Sequence, residues 1–193
     1  MRLQVFSTGL TLRQGALFYS IIWLIALALS WPTQVGVALV WRLPQRDIPM
    51  SMIMGIVCGL ALVLGTMAAE HFWPPMRTLA VELIGLIGDT SWPRAVALAL
   101  MSGIAEEALF RGPIQAVLGI WLTAGLFALL HGGGKRRYMA WTAFALVGAC
   151  VFGALADYFH SIWPAAVAHI VVNAINLRRL AAYAPSSPQK AFP

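Results

Sequence analysis

The sequence predicts an all-α fold, a polytopic transmembrane helical bundle of about six spans with one re-entrant or interfacial segment. Three observations carry this expectation. Hydrophobic residues make up 60% of the 193 positions and charged residues only 10%, too apolar a balance for a domain with a water-facing surface. The apolar residues fall in runs close to the roughly 20 needed to cross a bilayer as a helix. The basic residues gather at the ends of those runs, as Arg2 with Arg13, Arg42 with Arg46, Lys135-Arg136-Arg137 and Arg178-Arg179, where topology signals sit. A net charge of +6 split in this way does not form the continuous basic face of a nucleic-acid binder, so no nucleic-acid partner is expected. Cys58 and Cys150 lie inside apolar runs without ligand-type spacing, which fits packing rather than a disulfide or metal cluster. One integral membrane domain is expected over 1–193, with N-terminal spans in 1–91, a motif-bearing core in 92–180 and a short polar tail in 181–193.

In chain order, residues 15–31 form the first span. Ala26-Leu27-Ala28 resembles a signal-peptidase site, but the chain beyond it is also membrane-embedded, so an uncleaved span is expected. Pro32 ends or kinks it, and the run 35–41 is too short to cross. Residues 48–69 make the second span. From 70 to 92 the chain turns mixed, with His71, Pro74, Pro75, Arg77, Glu82 and Asp89 around the apolar stretch 83–87, the pattern of an interfacial or re-entrant segment. His71, Glu82 and Asp89 read as solvated groups. Pro93 suits the first turn of the next helix, and Gly119 suits a helix-to-helix turn. Pro113 between them removes a backbone donor and should free the Leu109 carbonyl. After Gly132-Gly133-Gly134 and the basic cluster, residues 138–156 cross back, 157–161 turn the chain, and 162–180 return. The positive-inside rule then puts both termini in the cytoplasm, against the count only at Arg42 and Arg46.

The functional signal is Glu106-Glu107-x-x-x-Arg111, because charges at membrane depth cost several kcal/mol and face a protein interior or a water-filled cavity. Glu107 and Arg111 stand four apart with the acid N-terminal, the arrangement of a structural pair. Glu106 is rotated by about 100° and has Phe110 four residues on, which leaves its carboxylate free to act as a base. Glu106 and His131 are equidistant from Gly119, so an antiparallel hairpin brings both to one depth, about 19 Å from the turn. His169 and Asn173 share a face of the last span about 13 Å from Arg178-Arg179 along the axis, and Asn176 extends their stripe. Polar groups from three helices thus converge at one level.

These residues resemble three motifs of the CPBP family of intramembrane proteases, the CAAX prenyl protease type 2 (Rce1-like) and Abi group. They are Glu-Glu-x-x-x-Arg at Glu106, Glu107 and Arg111, Phe-x-x-x-His at Phe127 and His131, and His-x-x-x-Asn at His169 and Asn173. Ser161-Ile162-Trp163-Pro164-Ala165 also looks like the family, and the resemblance covers residues 92 to 177. It implies peptide-bond hydrolysis in a polar cavity of a helical bundle. Glu106 and His131 would activate water, His169 and Asn173 would hold the oxyanion, and Glu107 with Arg111 would fix the Glu106 helix. Pro113, the short connection from Glu106 to His131 and the small chain depart from the prenyl-protein proteases. The expected partner is therefore a membrane-anchored protein or peptide, including one with a C-terminal transmembrane tail, in contact with the lipid bilayer. No cofactor is expected, since no His-Glu-x-x-His helix is present. The alternative enzyme reading is a zinc hydrolase with Glu106, His131 and His169 as ligands, and the non-enzymatic one is a proton-coupled carrier or immunity protein.

Overall fold

The computed structural model describes residues 9–33, 42–44, 47–88, 90–133 and 135–183, and every regular element among them is helical. The run 35–41, Arg2, Arg46, Asp89 and the tail from 184 lie outside the described residues. Helix α1 spans Leu12–Thr33 and opens on a reciprocal cap, with Thr11 Oγ1 accepting from the Gln14 amide and Gln14 Oε1 accepting from the Thr11 amide. Pro32 stands in its last turn. Helix α2, Ile48–Phe72, is capped by Asp47, whose carboxylate accepts from the Met50 amide at 3.1 Å. Helix α3, Pro74–Ile87, has 14 residues, about 21 Å and too short to cross. It buries Met76, Leu79, Ala80 and Ile84 and exposes Val81 and Leu86, as an interfacial or re-entrant segment would. His71 at its approach is exposed and Glu82 is half-buried.

Helix α4, Trp92–Leu109, leads through a π turn at Phe110–Ile114 into α5, Gln115–Gly132. A straight helix would separate residues 106 and 131 by about 38 Å, yet their side chains lie 3.6 Å apart. The reversal occurs at Gly119, the residue with non-helical dihedrals inside α5, at φ 73° and ψ 175°. Only glycine adopts that region readily. Gly133 (φ 57°) closes the second leg, its amide donating to the Leu129 carbonyl. A 3-10 turn at Arg136–Tyr138 precedes α6, Met139–Phe159, and α7, Trp163–Arg179, follows, ending in a 3-10 turn at Leu180–Tyr183. The expected connection at 157–161 is shorter than the spacing suggested, because α6 continues through Asp157 and the chain turns at His160 (φ 49°).

Four helical runs are long and apolar enough to cross a membrane, Leu12–Pro32, Ile48–Phe72, Trp92–Gly132 and Met139–Phe159. The expectation was about six. The third run counts once although Gly119 folds it into two legs, and α7 has 17 residues and carries Asn173, Asn176, Arg178 and Arg179. The bundle is apolar outside and encloses polar groups within an apolar interior. Leu17, Leu24, Leu64, Val117, Trp121 and Leu130 are between 62% and 79% exposed, whereas Ser102, Glu107, Arg111 and Thr123 are buried among alanines. That distribution suits lipid as solvent, and small interior residues let the helices approach closely.

Helix α7 lies at the centre, and none of its residues is exposed. A Cβ on Gly55 of α2 would stand 2.5 Å from the Pro164 carbonyl oxygen, one on Gly59 2.8 Å from that of Ala168, and one on Gly103 of α4 2.6 Å from Ile170 Cγ1. The Gly55-x-x-x-Gly59 face of α2 and Gly103 of α4 thus hold α7 from two sides at backbone distance.

Candidate active site

Pro113 has no amide hydrogen, so the α pattern cannot pass through it, and the chain widens into the π turn that carries Arg111. From that turn Arg111 donates its Nε to Glu107 Oε2 at 2.7 Å, both side chains being fully buried. The expected pair is therefore present. Arg111 Nη1 also donates to Gln115, and Gln115 Nε2 to the Gly153 carbonyl. This ties α4, the π turn and α5 to α6.

Glu107 makes a contact that residue spacing did not indicate. Its second oxygen, Oε1, lies 2.8 Å from His169 Nδ1. His169 was expected to face the cavity beside Asn173; instead its Nδ1 is held by Glu107, its ring stacks on Phe152 at 4.9 Å, and only Nε2 is left for chemistry. The difference arises from the rotation of α7 against α4, which no spacing within one helix specifies.

Glu106 faces the other way. Its Oε2 is buried without a hydrogen-bond partner and lies 3.6 Å from His131 Nε2, beyond direct bonding and within reach of one shared water. His131 Nδ1 lies 2.8 Å from the Phe127 carbonyl, an acceptor, so Nδ1 carries a proton and Nε2 is the nitrogen turned towards Glu106. Phe127 stacks on the same imidazole with centroids 4.1 Å apart, and the Arg111 guanidinium carbon lies 5.6 Å from the Phe127 ring. The first residue of Phe-x-x-x-His is thus the platform of the histidine.

Asn173 donates from Nδ2 to Ser102 Oγ at 2.8 Å. Glu106, His131, Asn173, Ser102 and Tyr19 line one cavity of about 340 Å³ with Leu79, Leu83, Leu98 and Val172 among its apolar walls. His169 lines a smaller adjoining recess of about 50 Å³, which it shares with His131 and Asn173. Asn176 reaches the large cavity as well, bonded to Thr66 and Arg179. Beyond it Glu70 receives Arg179 at 2.6 Å and the Tyr183 hydroxyl at 3.2 Å. Partial burial and then the Glu70 carboxylate push that hydroxyl above its ordinary pKa. Among the described residues no three His, Cys, Asp or Glu side chains are arranged to hold a metal ion. Of the groups missing from the sequence reading, Ser102 had a signal, four residues before Glu106 on one face. Tyr19 had none.

Residues 88–175 match the family described as type II CAAX prenyl endopeptidase Rce1-like. This segment is similar to the Rce1-like family. The Rce1-like segment contains Glu106, Glu107, Arg111, Phe127, His131, His169 and Asn173, and leaves α1, α2, α3 and the last turn of α7 outside it. Among curated proteins, the uncharacterized protein YpbD of Bacillus subtilis (strain 168) is 33% identical over 126 residues, 63% of this chain and 64% of that one. The chain thus spans less than two thirds of the length of this relative. No solved structure matches the chain.

Proposed function

We propose that this Rce1-like membrane protein is an intramembrane endopeptidase in which Glu106 and His131 activate water against a peptide carbonyl. The observation that supports this best is the buried, unbonded Glu106 Oε2 placed 3.6 Å from His131 Nε2 at the wall of a 340 Å³ cavity. A water between them donates one hydrogen to each, which fixes its lone pair towards the substrate carbonyl. As the oxygen attacks, Glu106 takes its proton and the carbonyl oxygen becomes an oxyanion. Asn173 offers the N–H not used by Ser102, and His169 donates from Nε2 when its ring carries both protons, a charge that the Glu107 carboxylate faces. When the C–N bond breaks, the proton on Glu106 passes to the leaving amine. The apolar walls suit the membrane-proximal C-terminal part of a membrane-anchored protein or peptide. We place the protein in a prokaryotic inner membrane, its termini in the cytoplasm.

The test is peptide hydrolysis by the purified chain in detergent. Glu106→Gln keeps shape and hydrogen bonding but removes the base, so turnover falls by about 10²–10⁴ with thermal stability unchanged. Wild-type turnover in that variant would refute the assignment.

One observation favours a zinc hydrolase instead. Both histidines bind an oxygen through Nδ1 and keep Nε2 free, as metal-ligating histidines do. The metal-free reading is the one proposed, because among the described residues no third ligand is arranged around the same point.

A further inference from the structure

Helices α4 and α7 run antiparallel, with Asn173 bonded to Ser102 at 2.8 Å where they cross. From that crossing α4 runs back about 15 Å to Trp92. In the same direction α7 runs on about 9 Å to Arg179, and the 3-10 turn Leu180–Tyr183 adds about 8 Å. The start of one helix and the end of the other therefore reach one membrane face. Between them lies an open pocket of about 410 Å³, lined by Trp92, Arg178, Arg179, Ala182 and Tyr183. The two arginines differ. Arg179 is committed inside the protein, donating to Glu70 and Asn176. Arg178 is half-buried and has no hydrogen-bond or ion-pair partner among the described residues. Because the Arg179–Glu70 pair is neutral as a unit, the surplus charge of the pocket is that of Arg178. A guanidinium fork left open in a cleft suits a phosphate group.

The surface beside this pocket is apolar. Trp92, Val96 and Leu100 stand four apart on one face of α4 and are 53%, 38% and 43% exposed. This stripe leads from the pocket into a groove of about 510 Å³ between α1 and α4, where Ser20, Trp23, Leu24, Leu100, Met101 and Ile104 form the walls. From Trp92 to Ile104 is about 18 Å along the helix, close to half of a hydrocarbon layer of about 30 Å, the depth that the acyl chains of one leaflet fill. A free phosphate needs only the pocket; an amphipathic ligand uses the stripe and the groove as well. We infer that pocket and groove together bind one anionic phospholipid, with its phosphodiester on Arg178, its interfacial part against the Trp92 indole and an acyl chain along Val96 and Leu100. Basic pockets between transmembrane helices take such head groups. The site does not depend on the proposed hydrolysis. It ties the start of the Glu106 helix to the end of the Asn173 helix, so a lipid held there stabilises the bundle by mass action.

The experiment titrates the full chain in detergent micelles with dioleoyl phosphatidylglycerol and counts retained lipids by native mass spectrometry. One phosphatidylglycerol should be held about fivefold more tightly than phosphatidylcholine, the selectivity of a single surplus interfacial charge. Arg178→Gln should weaken it by about tenfold, the loss of a charge-assisted hydrogen-bonded pair. Arg178→Lys should weaken it less, since the charge stays and the fork goes. Arg136→Gln, in the other basic cluster, should change the affinity by less than about twofold. Leu100→Trp, which fills the groove, should weaken the lipid too. Inorganic phosphate and glycerol 3-phosphate carry the anion without the chains and should not displace the lipid even in excess. Phosphatidylglycerol should also raise the thermal unfolding midpoint of the wild type and not that of Arg178→Gln. Equal binding of the two lipids overturns the inference, and so does an equal loss in Arg178→Gln and Arg136→Gln, the mark of a diffuse basic surface. Displacement by inorganic phosphate overturns it in favour of a free-anion site. Wild-type affinity in Leu100→Trp overturns it whatever Arg178→Gln does, because the groove is then unused.

Discussion

Removing the Arg111 guanidinium tests how the interior charges are held. Arg111→Ala leaves Glu107, whose side chain is 0% exposed, with His169 as its remaining partner, and removes the donor to Gln115. Breaking a buried ion pair by deleting one partner costs about 3–5 kcal/mol, since the other charge stays desolvated. At about 2–4 °C per kcal/mol for a chain of this size, the midpoint of thermal unfolding should fall by about 6–20 °C. The assay is unfolding of purified protein in detergent, read with folded yield. The control neutralises both partners: Glu107→Gln with Arg111→Met removes the stranded charge and should recover most of the loss, to within about 1–2 kcal/mol of wild type. Peptide hydrolysis should not recover with it, because the neutral carboxamide of the Glu107→Gln change cannot hold His169 as the carboxylate does. Wild-type yield and midpoint in Arg111→Ala would refute the reasoning, and so would a double variant no more stable than the single one.

Prolonged treatment with a strong zinc chelator should leave peptide hydrolysis unchanged and release no stoichiometric metal; activity that disappears with the metal and returns with added zinc would turn His131 and His169 into ligands. Gly119→Ala should destabilise by about 1–3 kcal/mol, measured by thermal unfolding. No atom lies within 4 Å of a Cβ there, so backbone conformation alone carries this cost, and a neutral result would show that the turn lies elsewhere. Gly59→Leu should be more damaging than Gly65→Leu, read as folded yield, because Gly59 meets the Ala168 carbonyl and Gly65 meets nothing.

What was legible in the sequence was what depth along a helix determines. Glu106, His131 and Asn173 meet in one cavity because their distances from Gly119 and from Arg178-Arg179 match, and those distances are counted along the chain. Rotation about the helix axis was not legible between helices. His169 shares a face with Asn173, but which of its nitrogens meets Glu107 depends on how Gly55, Gly59 and Gly103 seat α7, a contact between segments remote in sequence. Pro113 shows the same limit within one helix. Its missing amide says which bond is lost, while the π turn that absorbs the loss depends on Arg111 and Gln115 finding partners on α4 and α6. Tyr19 illustrates it from the far end of the chain, as one tyrosine in an apolar run whose significance exists only once α1 lies on α4.

The seating of α7 bears on how membrane thickness acts on the protein. At 17 residues α7 is about 26 Å long, shorter than a hydrocarbon layer of about 30 Å. Because none of its residues is exposed, hydrophobic mismatch has little of it to pull on directly. Exposed leucines, those of α1, α2 and α5 among them, meet the lipid, and a thicker or thinner bilayer is absorbed by tilting of the packed bundle as a unit. The depth of His169 and Asn173 relative to Glu106 follows the glycine contacts of α2 and α4 and stays as it is. In the proposed protease, a change of lipid would therefore move the membrane surface past a fixed cutting point. It would shift which bond of an anchored substrate arrives there, while the chemistry at that bond stays the same.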